Sequence, residues 1–553
     1  MEKLKVLLTK LNKSLILINI LFIIFYIILL DRYPAMWGDE GEFSNSAYNL
    51  ASGNGLIIST YVNVWGFNIF NFDEGPIFYL MFALFFKVFG FGLIQGRLFS
   101  VILGIFGLNV FYFLCKELFS KKKSLLLTIL FGTMPIYFIA AREIRFEIIY
   151  SVFDLLSFYF LVRYFKTEKK VNRYIIYMSI FSALSLLTHP NGMINIAATL
   201  VCLVFFNIKL TFKGIFSKNL LQSFKENIKN ILIYAIIIGL IALPYVIIII
   251  VYYNIYIPQT NYIIYSSGSN IVTNILSEYL QIKNLLISFA GTSLPRLMRI
   301  AIYLVMIGII ALIVVTLFIR SYDDPFIKIT FLYLVISVAS FTLIVNHKWD
   351  VYLTTVLPQF VIGFGSFMDR KPSRFNGLSG WYHQLLIAVD KLKSIFQKNL
   401  TKKISIPLII CAGFIGINVY SCELNTYDNR NCDPTLIRSE LLAAGINSTD
   451  KLLGDFRFWI PVYDFNYVDI FTFFLRMKYE NQSFNSIMTE IKPTIILFED
   501  VWRTSTGYQP FATAIVNFIQ HNCTLLRTIN ITTDGTTQWQ SLFPIEVYAT
   551  NFR

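Results

Sequence analysis

Residues 14–42 read SLILINILFIIFYIILLDRYPAMWGDEGE. The apolar run from Leu15 to Leu30 approaches the length a helix needs to cross a bilayer, and it stops at Asp31-Arg32-Tyr33-Pro34. The acidic stretch Trp37-Gly38-Asp39-Glu40-Gly41-Glu42 follows at once. Lys3, Lys5, Lys10 and Lys13 precede the run, so the positive-inside rule sets the N-terminus in the cytoplasm and the acidic stretch outside. No small-residue cleavage site ends the run, which therefore reads as a retained signal anchor. Carboxylates cost free energy beside lipid, so their clustering at the mouth of the first span marks a site.

Working outward, the whole chain is apolar. Of its 553 residues 56% are hydrophobic and 14% charged, and 53 are Phe. The mean hydropathy is +0.61, well above that of a soluble domain. The composition is that of a polytopic α-helical membrane protein. Its net charge of +14 does not call for nucleic acid, because the lysines and arginines sit in short blocks between apolar runs, as membrane topology requires.

Apolar stretches of spanning length fall near 15–31, 96–115, 124–140, 146–162, 174–188, 192–208, 230–252, 298–319, 326–345, 350–368 and 404–420, about eleven in all. The run 76–90 is short and carries Lys87; counted as a span, it would carry Lys121-Lys122-Lys123 to the outside. It reads instead as a juxtamembrane helix on the outer face. The transmembrane module is then 1–420, with outer loops at 32–95 and 253–297 and a cytoplasmic loop at 369–403. Loop 253–297 is rich in Tyr, Ser and Asn, and its length suits a segment that covers a site or chooses an acceptor.

Beyond the last span, 421–553 is polar, with short apolar runs alternating with helical patterns around 434–444 and 512–521. It reads as a small extracytoplasmic α/β domain. Cys422 and Cys432 are spaced for a short disulfide loop, which leaves Cys523 odd, and Cys115, Cys202 and Cys411 read as apolar fillers.

With this topology Asp39, Glu40, Asp73, Glu74, Arg97, Arg142, Arg145, His189 and Lys348 all fall in outer loops or at outer span ends. Carboxylates can accept a proton from an attacking hydroxyl or amine, and guanidinium groups bind and stabilise a departing phosphate. The set therefore suits a reaction between a lipid phosphate and a polar acceptor. Plainer readings stand beside it. Asp73-Glu74-Gly75-Pro76 is also a helix-start signal, and His189, in Thr188-His189-Pro190-Asn191-Gly192, suits a local turn hydrogen bond.

The segment from Asp39-Glu40-Gly41-Glu42 to Gly53-Asn54-Gly55 resembles the first outer loop of the C-type (GT-C) glycosyltransferases related to protein O-mannosyltransferases and the lipid A aminoarabinose transferase. Gly75-Pro76-Ile77-Phe78 through Gly90, then Gly96-Arg97-Leu98, resembles their surface helix and arginine-led span, and Ala141-Arg142-Glu143-Ile144-Arg145 resembles their later arginine motif. The resemblance implies an integral membrane glycosyltransferase, hexosyl or pentosyl, at the cell membrane. Its donor would be a polyprenyl-monophosphate sugar and its acceptor an extracytoplasmic protein, lipid or surface glycan, with inversion at the sugar. Asp39 would be the general base and Glu40 its support. Arg97, Arg142, Arg145, His189 and Lys348 would contact the donor phosphate. Many relatives have His-Pro-Pro where this chain has Asp73-Glu74-Gly75-Pro76, so Asp73 and Glu74 become candidates for an acceptor or divalent-metal contact, although no cofactor is required.

Two other classes share parts of this pattern. A lipid or glycan transporter would carry internal repeats and polar groups at midplane, whereas here the charges gather at one face. An oligosaccharyltransferase or polymerase acting on a diphosphate carrier shares the fold and generally depends on a divalent metal.

Overall fold

The computed structural model describes residues 13–34, 36, 38–167, 172–206, 218–266, 314, 317, 324–344, 354–368, 412–416, 419, 434–499, 509–529 and 544–553. Most of the expected span at 404–420, nearly all of that at 298–319, the loop 369–403, Lys348, Cys422 and Cys432 lie outside them.

The chain is mostly helical. α1 (Lys13–Ile27) leads into α2 (Gly38–Ala51), whose first turn holds Asp39 and Glu40, a placement that complements the positive end of the helix dipole. α3 (Pro76–Phe89) begins with Pro76 at its first turn, where the missing N–H is not needed, and closes at Gly90 with φ 85°, a left-handed position that glycine accepts without strain. The expected juxtamembrane helix is thus present as a helix. α4 (Leu93–Leu118) follows, then α5 (Lys121–Thr133) and α6 (Pro135–Ala140). The single span expected at 124–140 is therefore two helices, because Pro135 has no N–H to continue the ladder from α5.

α7 (Phe146–Lys166), α8 (Asn172–Thr188), α9 (Gly192–Phe205), α10 (Lys218–Val251), α11 (Tyr253–Ser266), α12 (Pro325–Ile344) and α13 (Leu357–Met368) complete the bundle. Among the described residues three helices, Leu93–Leu118, Phe146–Lys166 and Asn227–Val251, are long and apolar enough to cross a membrane, and several shorter apolar helices accompany them. α7 packs on α4 and α8, and α9 on α12. Because lipid tails are as apolar as Leu, such packing draws on polar contacts between helices. Ser185 Oγ donates to Asp154 at 2.7 Å, Tyr234 Oη to Ser182 at 2.8 Å, and Tyr333 Oη to Asn195 at 2.6 Å.

The outer segment expected at 253–297 as a loop of little regular structure begins as helix α11, its remainder lying outside the described residues. Gln259 on α11 explains its place. It accepts from the Phe72 N–H at 2.8 Å and donates to the carbonyls of Trp65 at 3.1 Å and Phe70 at 2.9 Å, so the helix braces the first outer loop.

The C-terminal part is an α/β unit: α14 (Pro434–Ala443), β1 (Lys451–Gly454), β2 (Asn466–Asp469), α15 (Phe471–Tyr479), α16 (Phe484–Ile491), β3 (Ile495–Glu499), α17 (Gln509–Asn522), β4 (Cys523–Ile529) and β5 (Ile545–Thr550). The strand order is β2-β1-β3-β5-β4, with β1 parallel to β2 and β3, and β5 antiparallel to β3 and β4. This unit does not keep its core to itself. Ile58, Tyr61, Val64 and Phe67 of the first outer loop share one buried cluster with Leu453, Val468, Phe473 and Phe498.

Two glycines make the closest join. A Cβ at Gly38 would strike the Phe456 ring, and one at Gly41 the Phe456 carbonyl. We expect Gly41→Ala to lower stability by about 1–3 kcal/mol, the usual size of an overpacking penalty. A fall in Tm with faster proteolysis of 434–553 is the expected readout, and an unchanged Tm would show that this contact is loose.

Candidate active site

The site is built where the end of α1, the first turn of α2, the 71–75 loop and the 141–147 turn meet. Arg97, on α4, is fully buried. Its Nε and Nη2 clamp Glu40 at 2.9 and 2.6 Å, and its Nη1 donates to the carbonyls of Leu30 and Pro34, both at 2.9 Å. Glu40 also accepts from the Ile144 N–H at 3.0 Å, so one ion pair ties α1, α2, α4 and the 141–147 turn together. Arg142 is equally enclosed. It donates to the carbonyls of Tyr26 at 2.9 Å, Ile28 at 2.8 Å, Leu29 at 3.0 Å and Tyr33 at 2.6 Å, and its guanidinium lies 4.7 Å from the Phe138 ring centre. Tyr26 lies in the last turn of α1 and the other three in the segment that follows it, so the guanidinium gathers the chain at the carboxyl end of that helix, where a cation offsets the helix dipole.

Arg145 is placed differently. Its Nη1 donates to Asp39 Oδ2 at 2.6 Å and its Nη2 to Glu147 Oε1 at 2.8 Å. Glu147 is fully buried, whereas the Asp39 side chain keeps 35% exposure. Among the three arginines singled out in the sequence, Arg145 alone contacts the exposed carboxylate directly.

Asp73 and Glu74 close the opposite side. The loop that carries them is pinned by Asn71, which donates to Ser46 and Tyr79 at 2.9 Å each, and by the Gly75 N–H, which donates to the Thr188 carbonyl at 3.1 Å. Burial and the charge of Asp39 push the Asp73 carboxyl up to about 7. Glu74 is raised as well, by burial and then by Asp73.

His189 makes the local turn contact: its Nδ1 accepts from the Asn191 N–H at 3.0 Å, and its ring stacks 4.1 Å from that of Phe146. Its Nε2 lies 3.4 Å from Glu74 Oε2. Burial and the Arg145 charge lower its pKa to about 3, so it is neutral here.

The structure thus brings Asp39, Glu40, Asp73, Glu74, Arg97, Arg142, Arg145 and His189 to one end of the bundle. It also adds Asp469, which the sequence reading missed. Asp469 ends β2, and together with Asp73 and Asp39 it raises the neighbouring Glu42 carboxyl, after burial. Its signal was positional: ligands of parallel sheets gather at the carboxyl ends of the strands. Among the described residues no three His, Cys, Asp or Glu side chains are spaced to hold a metal ion.

Residues 73–252 match the family model described as dolichyl-phosphate-mannose-protein mannosyltransferase. An uncharacterized protein of Aquifex aeolicus (strain VF5) is 28% identical over 158 residues, a match that spans 28% of this chain and 30% of that relative's length. The crystal structure of ArnT from Cupriavidus metallidurans bound to undecaprenyl phosphate superposes with a TM-score of 0.61 at 11% identity, over 97% of each chain. The oligosaccharyltransferase AglB from Archaeoglobus fulgidus, in complex with an inhibitory peptide and a dolichol-phosphate, gives a TM-score of 0.50 at 10% identity, over 90% of this chain and 71% of that one. The chain therefore has the C-type glycosyltransferase fold and, over residues 73–252, matches in sequence the mannosyltransferase family.

Proposed function

We propose that this membrane protein is a glycosyltransferase that moves one sugar from a polyprenyl-monophosphate donor to an extracytoplasmic acceptor, with inversion. The observation that carries the reading is Asp39, a partly exposed carboxylate held at 2.6 Å by the buried Arg145. Asp39 takes the proton of the acceptor as its oxygen or nitrogen bonds to the anomeric carbon. The bond from that carbon to the phosphate oxygen breaks, and the phosphate leaves on its prenyl chain. Arg145 orients Asp39 and lends positive charge to the departing phosphate, while Glu147 holds the guanidinium in place. Arg97 and Arg142 support the site from behind, by fastening α1, α2 and the 141–147 turn. His189, neutral and turned to Glu74, belongs to the wall rather than to the phosphate contacts. Lys348, outside the described residues, stays a candidate phosphate contact.

The reading needs no metal cofactor, and the family match together with the ArnT fold favours the monophosphate carrier. Transfer of a preassembled glycan from a diphosphate carrier fits the same fold. Lipid and glycan analysis of cells lacking the gene separates them. We expect one sugar to vanish from an outer-surface product while its polyprenyl-monophosphate form accumulates. Accumulation of a diphosphate-linked oligosaccharide, or of no carrier at all, overturns the proposal.

A further inference from the structure

The first turn of α2 is held on three faces, and the third has had no part in the chemistry so far. Asp39 reaches Arg145, and Glu40 is gripped by Arg97 and the Ile144 N–H. Gly38 and Gly41 lie against Phe456 of the C-terminal unit, so closely that a Cβ on the first would meet its ring and one on the second its carbonyl. At about 100° per residue the two glycines share a face, and that face, Asp39 and Glu40 point in directions roughly a third of the circle apart. Farther along α2 the same side continues the join, with the Tyr48 ring centre 6.0 Å from that of Trp459 and 5.2 Å from that of Tyr463.

Phe456 is itself firmly seated. It opens a 3₁₀ turn, Phe456–Phe458, that follows β1 directly. Asp455 caps this turn by accepting from the Arg457 N–H at 3.0 Å, and it also accepts from Arg457 Nε at 2.8 Å and Nη2 at 3.0 Å. The same Nη2 donates to Glu499 at the end of β3, and the Tyr467 hydroxyl of β2 donates to the Asp455 carbonyl. Asp455, Arg457 and Glu499 are all buried, so these bonds are sheltered from exchange with water. The turn is tied to three strands, and the position of the sheet is passed to Phe456.

We propose that Phe456 is a positioning residue for sugar transfer, through which the C-terminal unit sets the rotation of the first turn of α2 and so aims Asp39. The proposal rests on the transferase reading, in which Asp39 is the base. The Arg97 grip on Glu40 fixes where the turn lies, but by itself it leaves the turn free to roll about that contact. The Arg145 contact orients the carboxylate and not the backbone that carries it. Phe456, pressed on the glycine face, stops the roll. The effect on rate is large for a small movement, because misplacing a catalytic group by about 1 Å costs on the order of 100-fold. The two glycines then have a reason: any side chain at 38 or 41 would prop the turn away from its seat.

The test uses the full-length protein in lipid nanodiscs, well below the Tm of each variant and with rates taken per folded protein. The lipid fraction of cells lacking the gene serves as donor and their membranes as acceptor, and the sugar transferred is measured by glycan analysis. Phe456→Ala is expected to lower kcat about 10- to 100-fold with little change in donor KM, and Phe456→Leu, which keeps bulk at the join, to recover most of the loss. Gly38→Ala should lose a similar factor. Adding Phe456→Ala to it makes room for the new methyl group, so the double variant should turn over at least about fivefold faster than Gly38→Ala alone, the coupling that a direct contact produces. A double variant no faster than Gly38→Ala overturns the proposal, as does a raised donor KM with kcat unchanged, or equal rates in Phe456→Ala and Phe456→Leu. Should one single variant fold poorly the other decides, since wild-type kcat in either overturns it, whatever the change in Tm. Wild-type protein that transfers no sugar undoes the transferase reading and this proposal with it, whereas active wild type beside an equally active Phe456→Ala undoes this proposal alone.

Discussion

Asp39→Asn is expected to reduce sugar transfer by about 100- to 10,000-fold, the range over which a positioned general base contributes. Asparagine keeps the shape of the side chain and an oxygen able to accept from Arg145 Nη1, so insertion and folding should stand. What is lost is the capacity to take a proton, and the loss should appear in kcat with little change in the affinity for the lipid donor. Turnover close to wild type in this variant would remove Asp39 as the base. Asp73 or Glu42 would then be the next carboxylate to test, since the Asp39 charge acts on both.

Arg97→Ala is expected to act on stability rather than on the donor. Breaking a buried ion pair by removing one partner costs about 3–5 kcal/mol, because Glu40 is left charged and enclosed. Two backbone carbonyls, of Leu30 and Pro34, lose their donor at the same time. Arg97→Lys should recover little, since an ammonium cannot reproduce the two-pronged grip on Glu40. The expected measurement is a large fall in Tm and in membrane accumulation, with an unchanged donor KM in whatever protein survives. A normal Tm combined with a raised donor KM would return Arg97 to the phosphate.

These two variants mark where the sequence could and could not be read. Asp39 and Glu40 stood out because several charges in a row after a spanning run are rare enough to mean something without coordinates. Their division of labour did not. Glu40 turns inward to Arg97, 57 residues away in sequence, and Asp39 turns outward to Arg145, 106 residues away. Adjacent residues on a helix point in different directions, and only the neighbours packed on each face decide which carboxylate stays open. Arg142 was equally opaque: a guanidinium that caps the end of α1 carries the same local motif as one that binds a phosphate. The C-terminal strands were legible as short apolar runs, but their sharing of a core with residues 58–67 was not, since nothing in either segment names its partner.

The amino-acid sequence by itself determined that this is a membrane protein with an acidic first outer loop, a Pro-started helix after it, a polar α/β unit at its end and a C-type glycosyltransferase likeness. Those features are local, set by hydropathy, by helix-start chemistry and by short motifs that act over one or two turns. Tertiary structure alone decided which arginine meets the open carboxylate, that α11 braces the first loop through Gln259, and that Asp469 meets the first outer loop at Thr60. Such pairings depend on where backbones far apart in the chain come to rest, and burial then turns each contact into a strong constraint, because a charge or polar group removed from water must find its partner inside the fold.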